Sequence, residues 1–576
     1  MEAACNAEKS RVEPLRLSRA AQLPESTNCL TCSEDGRYLG LGHSQGLSVW
    51  CTSTLTRAAD WLQDRLEITS IQMTSMAETA YLLGTIDDMG VARVFAYHCD
   101  TIHLLSVVNI MDDINRRSVC LTFELSHGGH YGAATISCNG AVWLEVHHFP
   151  SETWVKELEM VVTQMQEHNS SGDRGLKWSP LSVATTIKPP NITAGTTLEG
   201  PHVVQVTDFL TYFSALDVDT RRHREKEQSF DTNAEKRKQS NESTRYCTQH
   251  FLLPCAQFPG ERTAKPQRGL PVAVCVWWIG SHNLLQYLIK KAPKNEQAYF
   301  LLSDLEPMPD MLWPNAKKIL CSAVSRCTRY IALGLDNALV SVWDRQTGSQ
   351  LSVVSMSATD CAISRIQFAD HWHVSTDEVH LLLVCKSGAI HRVTTGRGTK
   401  CCTELLTERP KDSGGLPTSS ASVPFLQSTF LVVQRNGKVF LQDVIDKTPV
   451  RCLIPPETHL IATPCSPVYA LNTKRQTLFI RGDQDSSYSA TPKEDKDGQS
   501  HLLVFNFGES DIIKQFIVSP PDSPQREETQ SFVSLEEACN LYLQQRALSV
   551  AERNKALAQT WKQLQEAAAE TQPSCS

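Results

Sequence analysis

The sequence contains no apolar run long enough to cross a membrane. Its longest, residues 272–279, is far shorter than the roughly 20 residues that a transmembrane helix requires. We therefore predict that this run is a buried strand and that the protein does not insert into a membrane. An excess of basic residues is also missing, since 55 Lys and Arg stand against 63 Asp and Glu, for a net charge of -8. This balance argues against a nucleic-acid partner, which would require a strongly basic face.

A secretion signal and a disulfide framework are missing as well. The N-terminus is polar and lacks the apolar segment of a signal peptide. The 20 cysteines are scattered through apolar segments instead of being concentrated in a short cysteine-rich domain. We therefore expect an intracellular, reduced protein of the cytoplasm or cytoskeleton.

What the sequence does contain is a repeated phrase. It comprises a turn that begins with Ser, an apolar strand that begins with Tyr five positions later, a tight hairpin, and a second apolar strand that reaches Trp. The three copies span residues 33–50, 126–143 and 325–344. This order of turn, strand, hairpin and strand is typical of a four-stranded propeller blade.

Weaker copies of the same pattern fill much of the remaining chain. Apolar strands flank Gly- or Asn-containing turns at residues 80–95, 272–289, 380–393 and 429–440, and later strands are predicted within 467–480 and 501–518. The hairpins predict an all-β propeller with seven to nine blades. We favour one closed ring of seven or eight blades, and two smaller propellers are the alternative.

Composition divides the chain into four regions. We predict a disordered N-terminus over residues 1–24, a propeller over 25–518, a linker over 519–533 and a long amphipathic helix over 534–571. Polar segments near 220–246 and 483–500 contain too little apolar surface to offset the entropy of ordering. They are therefore predicted to be inserted loops within the propeller.

The predicted C-terminal helix begins with a capping box at residues 534–537 and has one narrow apolar stripe. A long helix with so little apolar surface needs something to pack against. A coiled coil with a partner helix and packing on the propeller itself are both compatible with the pattern. The candidate contact residues are Leu543, Val550, Leu557, Trp561 and Leu564.

Several short motifs resemble chemical sites but lack the required context. Residues 42–46 match the G-x-S-x-G elbow around Ser44, yet an apolar strand follows where a hydrolase needs a helix, so we predict a hairpin turn. The C-x-x-C pair at residues 29–32 and the pair at 401–402 are interpreted as buried strand cysteines, and the Trp pair at 277–278 as core. We therefore predict no catalytic residue, no metal site and no cofactor.

The copies at residues 33–50 and 325–344 resemble WD40 repeats, and the second contains the dipeptide Trp343–Asp344 that gives that family its name. Most blades depart from the repeat, because the opening Gly-His is missing and other residues replace the final Trp-Asp. The resemblance implies a degenerate WD40-type propeller and a non-catalytic scaffold that binds proteins of a larger assembly, without a small-molecule substrate. The resemblance also implies a propeller of the kind found on ciliary and flagellar axonemes. A vesicle-coat or trafficking adaptor is the alternative, and a serine hydrolase using Ser44 is a remote one.

Overall fold

The structure is a computed structural model, and it describes most of the propeller region. The described residues are 15–110, 118–167, 177–190, 247–254, 270–289, 307–356, 362–369, 378–396, 401–426, 429–443, 449–456, 459–461, 468–484, 500–514 and 516–517. The predicted insertion at 220–246, the linker at 519–533 and the helix at 534–571 lie outside these residues. Among the described residues, no helix combines the length and apolar character needed to cross a bilayer.

Strands make up nearly all of the described secondary structure. In chain order they are β1 (Arg19–Gln22), β2 (Cys29–Cys32), β3 (Tyr38–His43), β4 (Gly46–Cys51), β5 (Thr56–Leu62), β6 (Ile68–Ser75), β7 (Ala80–Asp87), β8 (Ala92–His98), β9 (Thr101–Val107), β10 (Ser118–Leu125), β11 (Tyr131–Cys138), β12 (Ala141–His148), β13 (Ser182–Ile187), β14 (Cys247–Leu252), β15 (Ala273–Trp278), β16 (Asn283–Leu288), β17 (Met311–Pro314), β18 (Ile319–Val324), β19 (Tyr330–Leu335), β20 (Leu339–Asp344), β21 (Ser349–Ser355), β22 (Ile363–Phe368), β23 (Glu378–Cys385), β24 (Ile390–Gly396), β25 (Cys402–Thr407), β26 (Pro417–Ser422), β27 (Thr429–Gln434), β28 (Val439–Asp443), β29 (Pro449–Leu453), β30 (His459–Ile461), β31 (Tyr469–Asn472), β32 (Thr477–Gln484) and β33 (Ser500–Asn506). Two α-helices accompany them, α1 (Ser151–Glu167) and α2 (Asp511–Lys514).

The strands form eight antiparallel sheets, which are the blades of a propeller. Strands β2–β5 form blade 1, and each following set of four consecutive strands forms the next blade, up to β26–β29 in blade 7. Blade 8 has the order β1-β33-β32-β30, and β31 also pairs with β32. The predicted all-β propeller is confirmed, with eight blades. In blades 1 to 7 the four strands follow one another in chain order from the inner to the outer edge of the blade. In blade 8, β30 and β31 are the inner strands, β32 is the second, β33 the third and β1 the outer strand.

The repeated phrase forms hairpins at the positions predicted from the sequence. In blade 3, the second and third strands are joined by Asn139 and Gly140, whose φ angles are 51° and 79°. Positive φ at both central residues matches the tight turn whose twist suits an antiparallel hairpin. Side chains alternate between the two faces of each sheet, so apolar residues on both faces face the neighbouring blades.

The core is divided among the junctions between blades. Eight apolar clusters are present among the described residues, and each joins two neighbouring blades. One of them joins Leu39 and Leu41 of blade 1 to Phe479 and Leu502 of blade 8. The eighth blade therefore packs against the first, and the blades form one closed ring instead of two smaller propellers.

The N-terminal region differs from the sequence-based expectation. Residues 1–24 were expected to be disordered, whereas β1 is the outer strand of blade 8, with Arg19 opposite Val504 and Gln22 opposite His501. The segment Arg-Ala-Ala-Gln has little apolar content of its own. It is ordered because β33 offers a row of unpaired backbone groups, and pairing satisfies the groups of both strands.

Two helical segments also depart from the expectation. The strand predicted within 501–518 ends at Asn506, and the short helix α2 follows. In blade 3, α1 lies between the third and outer strands, and Trp154, Leu158 and Val161 of α1 are buried. The Trp154 indole donates a hydrogen bond of 2.7 Å to the Ser179 carbonyl. The helix is therefore attached to its blade by its apolar face and by this indole.

Candidate functional site

The hydrolase-like elbow is a hairpin turn between two strands of blade 1. Ser44 lies in the turn between β3 and β4, and its hydroxyl donates to the Glu25 carbonyl at 3.2 Å. The His43 ring instead lies 2.9 Å from the Ser48 hydroxyl, and both of these side chains are buried. A strand follows the turn, as predicted, so the strand-turn-helix geometry that activates a serine nucleophile is not present at Ser44.

The cysteine pairs have two different environments. Cys29 and Cys32 lie within β2, as predicted, but are half-buried and not fully buried. Desolvation still raises the pKa of each thiol to about 12, which disfavours the reactive thiolate. Cys401 and Cys402 were expected to be buried but are exposed, because they open the outer strand of blade 6. Within the described ranges, no group of three or more His, Cys, Asp or Glu side chains could hold a metal ion.

Of the remaining candidates from the sequence, the Trp pair lies among the described residues and the helix residues do not. Trp277 and Trp278 are buried, as predicted, and the Trp277 indole donates to the Ser322 hydroxyl at 2.8 Å. The helix residues Leu543, Val550, Leu557, Trp561 and Leu564 lie outside the described residues. The candidate binding site among the described residues is a different one, and it lies on one face of the ring.

This face has a simple topological definition. The turns between second and third strands lie at the same end of the blades as the loops that lead from one blade to the next, and inner strands begin there. We call it the B–C face. In a propeller the inner strands surround a central channel, so this face contains one channel mouth. Loops held on a rigid scaffold are frequent binding sites.

The first cavity begins at the B–C face between blades 2 and 3, extends along β10 as far as Glu124, and has a volume of ≈ 600 Å³. It is lined by β6, β10 and the turn that follows β7. Its charged lining residues are Asp87, Asp88 and Glu124, and none of its lining residues is Lys or Arg. We call it the acidic cleft.

The carboxylates of the acidic cleft are held differently. Asp87 forms an ion pair with Arg93 and accepts a hydrogen bond of 2.7 Å from the Val91 amide. Asp88 is exposed on the turn. No donor or cation contacts the Glu124 carboxylate among the described residues, and burial raises its pKa to about 7. Burial without a compensating charge favours the neutral form of a carboxyl group.

A buried amide fixes the wall of this cleft. The Asn109 side chain accepts from the Ala92 amide at 2.9 Å and donates to the Gly90 carbonyl at 3.0 Å. It also donates to the Ser118 carbonyl at 3.3 Å. These bonds join the turn of blade 2 to the loop that enters blade 3, so the two sides of the cleft are held together by a satisfied polar network.

The second cavity lies between blades 6 and 7 and has a volume of ≈ 310 Å³. It is lined by the beginnings of β22 and β26 and by the turns that follow β23 and β27. Its charged lining residues are Arg365, Lys386 and Arg435, and none of its lining residues is Asp or Glu. We call it the basic cleft.

Backbone hydrogen bonds hold the basic cleft in place. The Lys386 amide donates to the Ala362 carbonyl at 2.8 Å, and the Arg435 amide donates to the Leu416 carbonyl at 2.9 Å. The Arg365 guanidinium donates to the Ser420 carbonyl at 3.2 Å, across the junction between the two blades. The main chain that carries each cation is therefore attached to the start of an inner strand.

The two clefts occupy equivalent positions in the ring. Each lies between the inner strands of two successive blades, beside the turn that follows a second strand. Four blade steps separate them in a ring of eight, so they lie on opposite sides of the channel mouth. The clefts were missed from the sequence, although the charged turns at 87–88, 386 and 435 are visible signals, because their grouping depends on which blades are neighbours.

Comparison with solved structures finds matches of low sequence identity. Sqt1 of Saccharomyces cerevisiae has 11% sequence identity and a TM-score of 0.44, and the match covers 86% of this chain and 98% of that chain. The computationally designed protein Ika8 has 12% identity and a TM-score of 0.43, with 86% and 99% covered. Chaetomium thermophilum Sqt1, bound to the N-terminus of ribosomal protein L10, has 10% identity and a TM-score of 0.44, with 84% and 97% covered. Similarity at this level carries no functional argument.

Comparison with protein families gives a more specific result. The family described as WD repeat-containing protein 93 matches residues 27–340, which is more than half of the chain. The match runs from blade 1 into the third strand of blade 5 and includes the acidic cleft. The chain therefore belongs to the WD repeat-containing protein 93 family.

Proposed function

We propose that this protein is a non-catalytic scaffold that binds other proteins through the B–C face of its ring, as a component of a ciliary or flagellar axonemal assembly. The observation that carries the proposal is the pair of clefts of opposite charge on one face. Both are built from strands and turns that the closed ring holds in place. Complementary charge on a rigid surface selects and orients a protein partner. Membership of a WD-repeat family supports the interaction role.

The axonemal part of the proposal is supported by the sequence resemblance alone. Its test is to express a tagged full-length chain in ciliated cells, to image it, and to purify it with its partners for mass spectrometry. We expect signal along the axoneme and recovery of axonemal proteins. Punctate signal on membranes together with coat proteins would overturn the axonemal assignment in favour of the trafficking adaptor.

The B–C face is tested with charge variants in the same experiment. K386E/R435E reverses two charges of the basic cleft. The matched control is K474E/R475E, which makes the same change of net charge at exposed positions of the turn between β31 and β32, on the opposite face. We expect the first variant to lose partners that the control retains. Equal recovery of partners by both variants would contradict binding through this face.

The C-terminal stripe is a separate part of the proposal. Leu543, Val550, Leu557, Trp561 and Leu564 are proposed to attach the protein to its assembly, because an amphipathic helix with a narrow stripe is stable only when packed. A chain that ends after residue 531 is the test. Recovery of the same partners in unchanged amounts by this shortened chain would refute the role of the helix.

A further inference from the structure

We propose that the basic cleft binds an extended, Asp- and Glu-rich segment of a partner protein. This inference rests on the proposed scaffold function and names the chemistry that one part of the B–C face recognises. Its starting point is the grouping of Arg365, Lys386 and Arg435 around one cavity. No described carboxylate lies within ion-pair distance of these three side chains, and all three are exposed.

Several arginines elsewhere in the ring are neutralised by the protein itself. Four examples are the ion pairs Arg93–Asp87, Arg329–Asp344, Arg392–Glu404 and Arg481–Asp483. The chain as a whole is acidic, with a net charge of -8. The basic cleft therefore concentrates three positive charges around one cavity of an acidic chain, and an anionic ligand relieves their mutual repulsion.

The cleft also contains unused hydrogen-bonding capacity. Arg365 uses one guanidinium nitrogen for the Ser420 carbonyl, which leaves further N–H groups of its planar fork available for a carboxylate. The Ser420 hydroxyl is buried beside the cleft and has no hydrogen-bond partner among the described atoms. A buried hydroxyl without a partner is uncommon in folded proteins, so its position is consistent with a polar ligand.

The spacing of the cations favours a peptide over a single compact anion. Lys386 and Arg435 occupy equivalent turns of neighbouring blades, and packed sheets lie about 10 Å apart. An extended chain advances about 3.3 Å per residue, so carboxylates about three residues apart match this separation. The acidic cleft across the channel mouth repels the same segment, which directs it to blades 6 and 7.

The test uses the purified full-length chain and a fluorescein-labelled peptide of consecutive Glu residues, with binding followed by fluorescence anisotropy. We expect K386E/R435E to weaken binding about tenfold or more, because two attractive pairs become repulsive. The control K317E/K318E changes the net charge equally in the loop from blade 4 to blade 5 on the same face, and should change affinity less than about twofold. All four side chains lie in loops or turns, so thermal unfolding should be unchanged.

A reciprocal arm uses a peptide of consecutive Lys residues. It should bind K386E/R435E more tightly than it binds K317E/K318E, because only the first variant creates an acidic site at this cleft. Equal losses of Glu-peptide affinity in the two variants would mean unspecific attraction by net charge and would overturn the proposal. Tighter, K386E/R435E-sensitive binding of a single phosphoserine peptide would overturn it in favour of a phosphate site.

The outcomes separate this inference from the scaffold function. If the purified chain binds no Glu peptide but the tagged chain still recovers partners from cells, the peptide inference fails and the scaffold stands. If the tagged wild-type chain recovers no protein, the scaffold itself fails.

Discussion

The contact between Gly36 in blade 1 and Asn472 in blade 8 can be broken by adding one methyl group. Gly36 has a φ of 71°, and a Cβ atom there would overlap the Asn472 side-chain oxygen and lie 3.0 Å from Cγ and Nδ2. Asn472 is fully buried, donates to the Gly36 carbonyl at 2.9 Å and accepts from the Arg475 amide at 2.9 Å. Gly36→Ala therefore forces this side chain out of both hydrogen bonds.

Gly140 provides a control that separates backbone strain from the lost contact. Its φ is 79°, but nothing lies within 4 Å of a Cβ atom placed there. Gly140→Ala should therefore cost only the left-handed strain, about 1–2 kcal/mol. Gly36→Ala should cost the same strain plus two hydrogen bonds of about 0.5–1.5 kcal/mol each, so the difference between the variants is about 1–3 kcal/mol.

The free energy of unfolding is measured in urea, with hydrogen exchange of β2 and β31 as a local readout, because a large ring need not unfold in one step. Asn472→Ala removes the obstructing side chain. In that background, Gly36→Ala should cost no more than Gly140→Ala, which gives a coupling energy of about 1–3 kcal/mol. Equal costs of the two glycine substitutions in the wild-type background would refute the reasoning.

Four further outcomes are expected. Burial raises the pKa of Glu124 to about 7, above its unfolded value, so the wild type should lose stability as pH rises from about 4.5 to 7. In thermal melts, Glu124→Gln should therefore be more stable than the wild type at pH 8, by up to about 3 kcal/mol, and this difference should vanish near pH 4.5. Trp154→Ala should cost about 3–5 kcal/mol in urea unfolding and raise exchange across α1, because it empties a buried site. Desolvation raises the pKa of the Cys51 thiol, but hydrogen bonds from the adjoining turn outweigh it and lower the pKa to about 7. At neutral pH, a maleimide reagent should therefore modify Cys51 far faster than Cys29, with the modified sites identified by mass spectrometry. The reverse order of modification would contradict this. A fluorophosphonate probe should label wild type and Ser44→Ala equally, since the Ser44 hydroxyl lies in a hairpin turn.

Local sequence signals predicted much of the fold. The pair Asn139–Gly140 specifies a tight turn within a few residues, so the hairpins of the repeated phrase were placed correctly. Strand β26, with the sequence Pro-Thr-Ser-Ser-Ala-Ser, contains almost no apolar signal, and its order comes from pairing with β27. The blade count remained open for this reason. The buried positions Trp154, Leu158 and Val161 of α1 do follow a helical spacing, and that signal was overlooked.

The candidate site was much harder to predict. Arg365 and Arg435 are far apart in sequence, and they share a cleft only because blades 6 and 7 are neighbours in the ring. Glu124 lies on an inner strand, and a strand pattern cannot state which cavity it lines. Long-range packing decides both placements, and no alternation of residue types within a strand encodes it.

The pairing of β1 with β33 has a consequence for synthesis of the protein. Blades 1 to 7 can form one after another as the chain leaves the ribosome, but the last sheet requires segments from both ends of the ring. Until Asn506 has emerged, blade 1 lacks the neighbour that covers Leu39, Leu41 and Trp50. A nascent arc with an uncovered apolar flank is prone to aggregate. The demand for chaperones should therefore peak late in translation, and a ribosome stalled between blades 7 and 8 should hold the most aggregation-prone form of this chain.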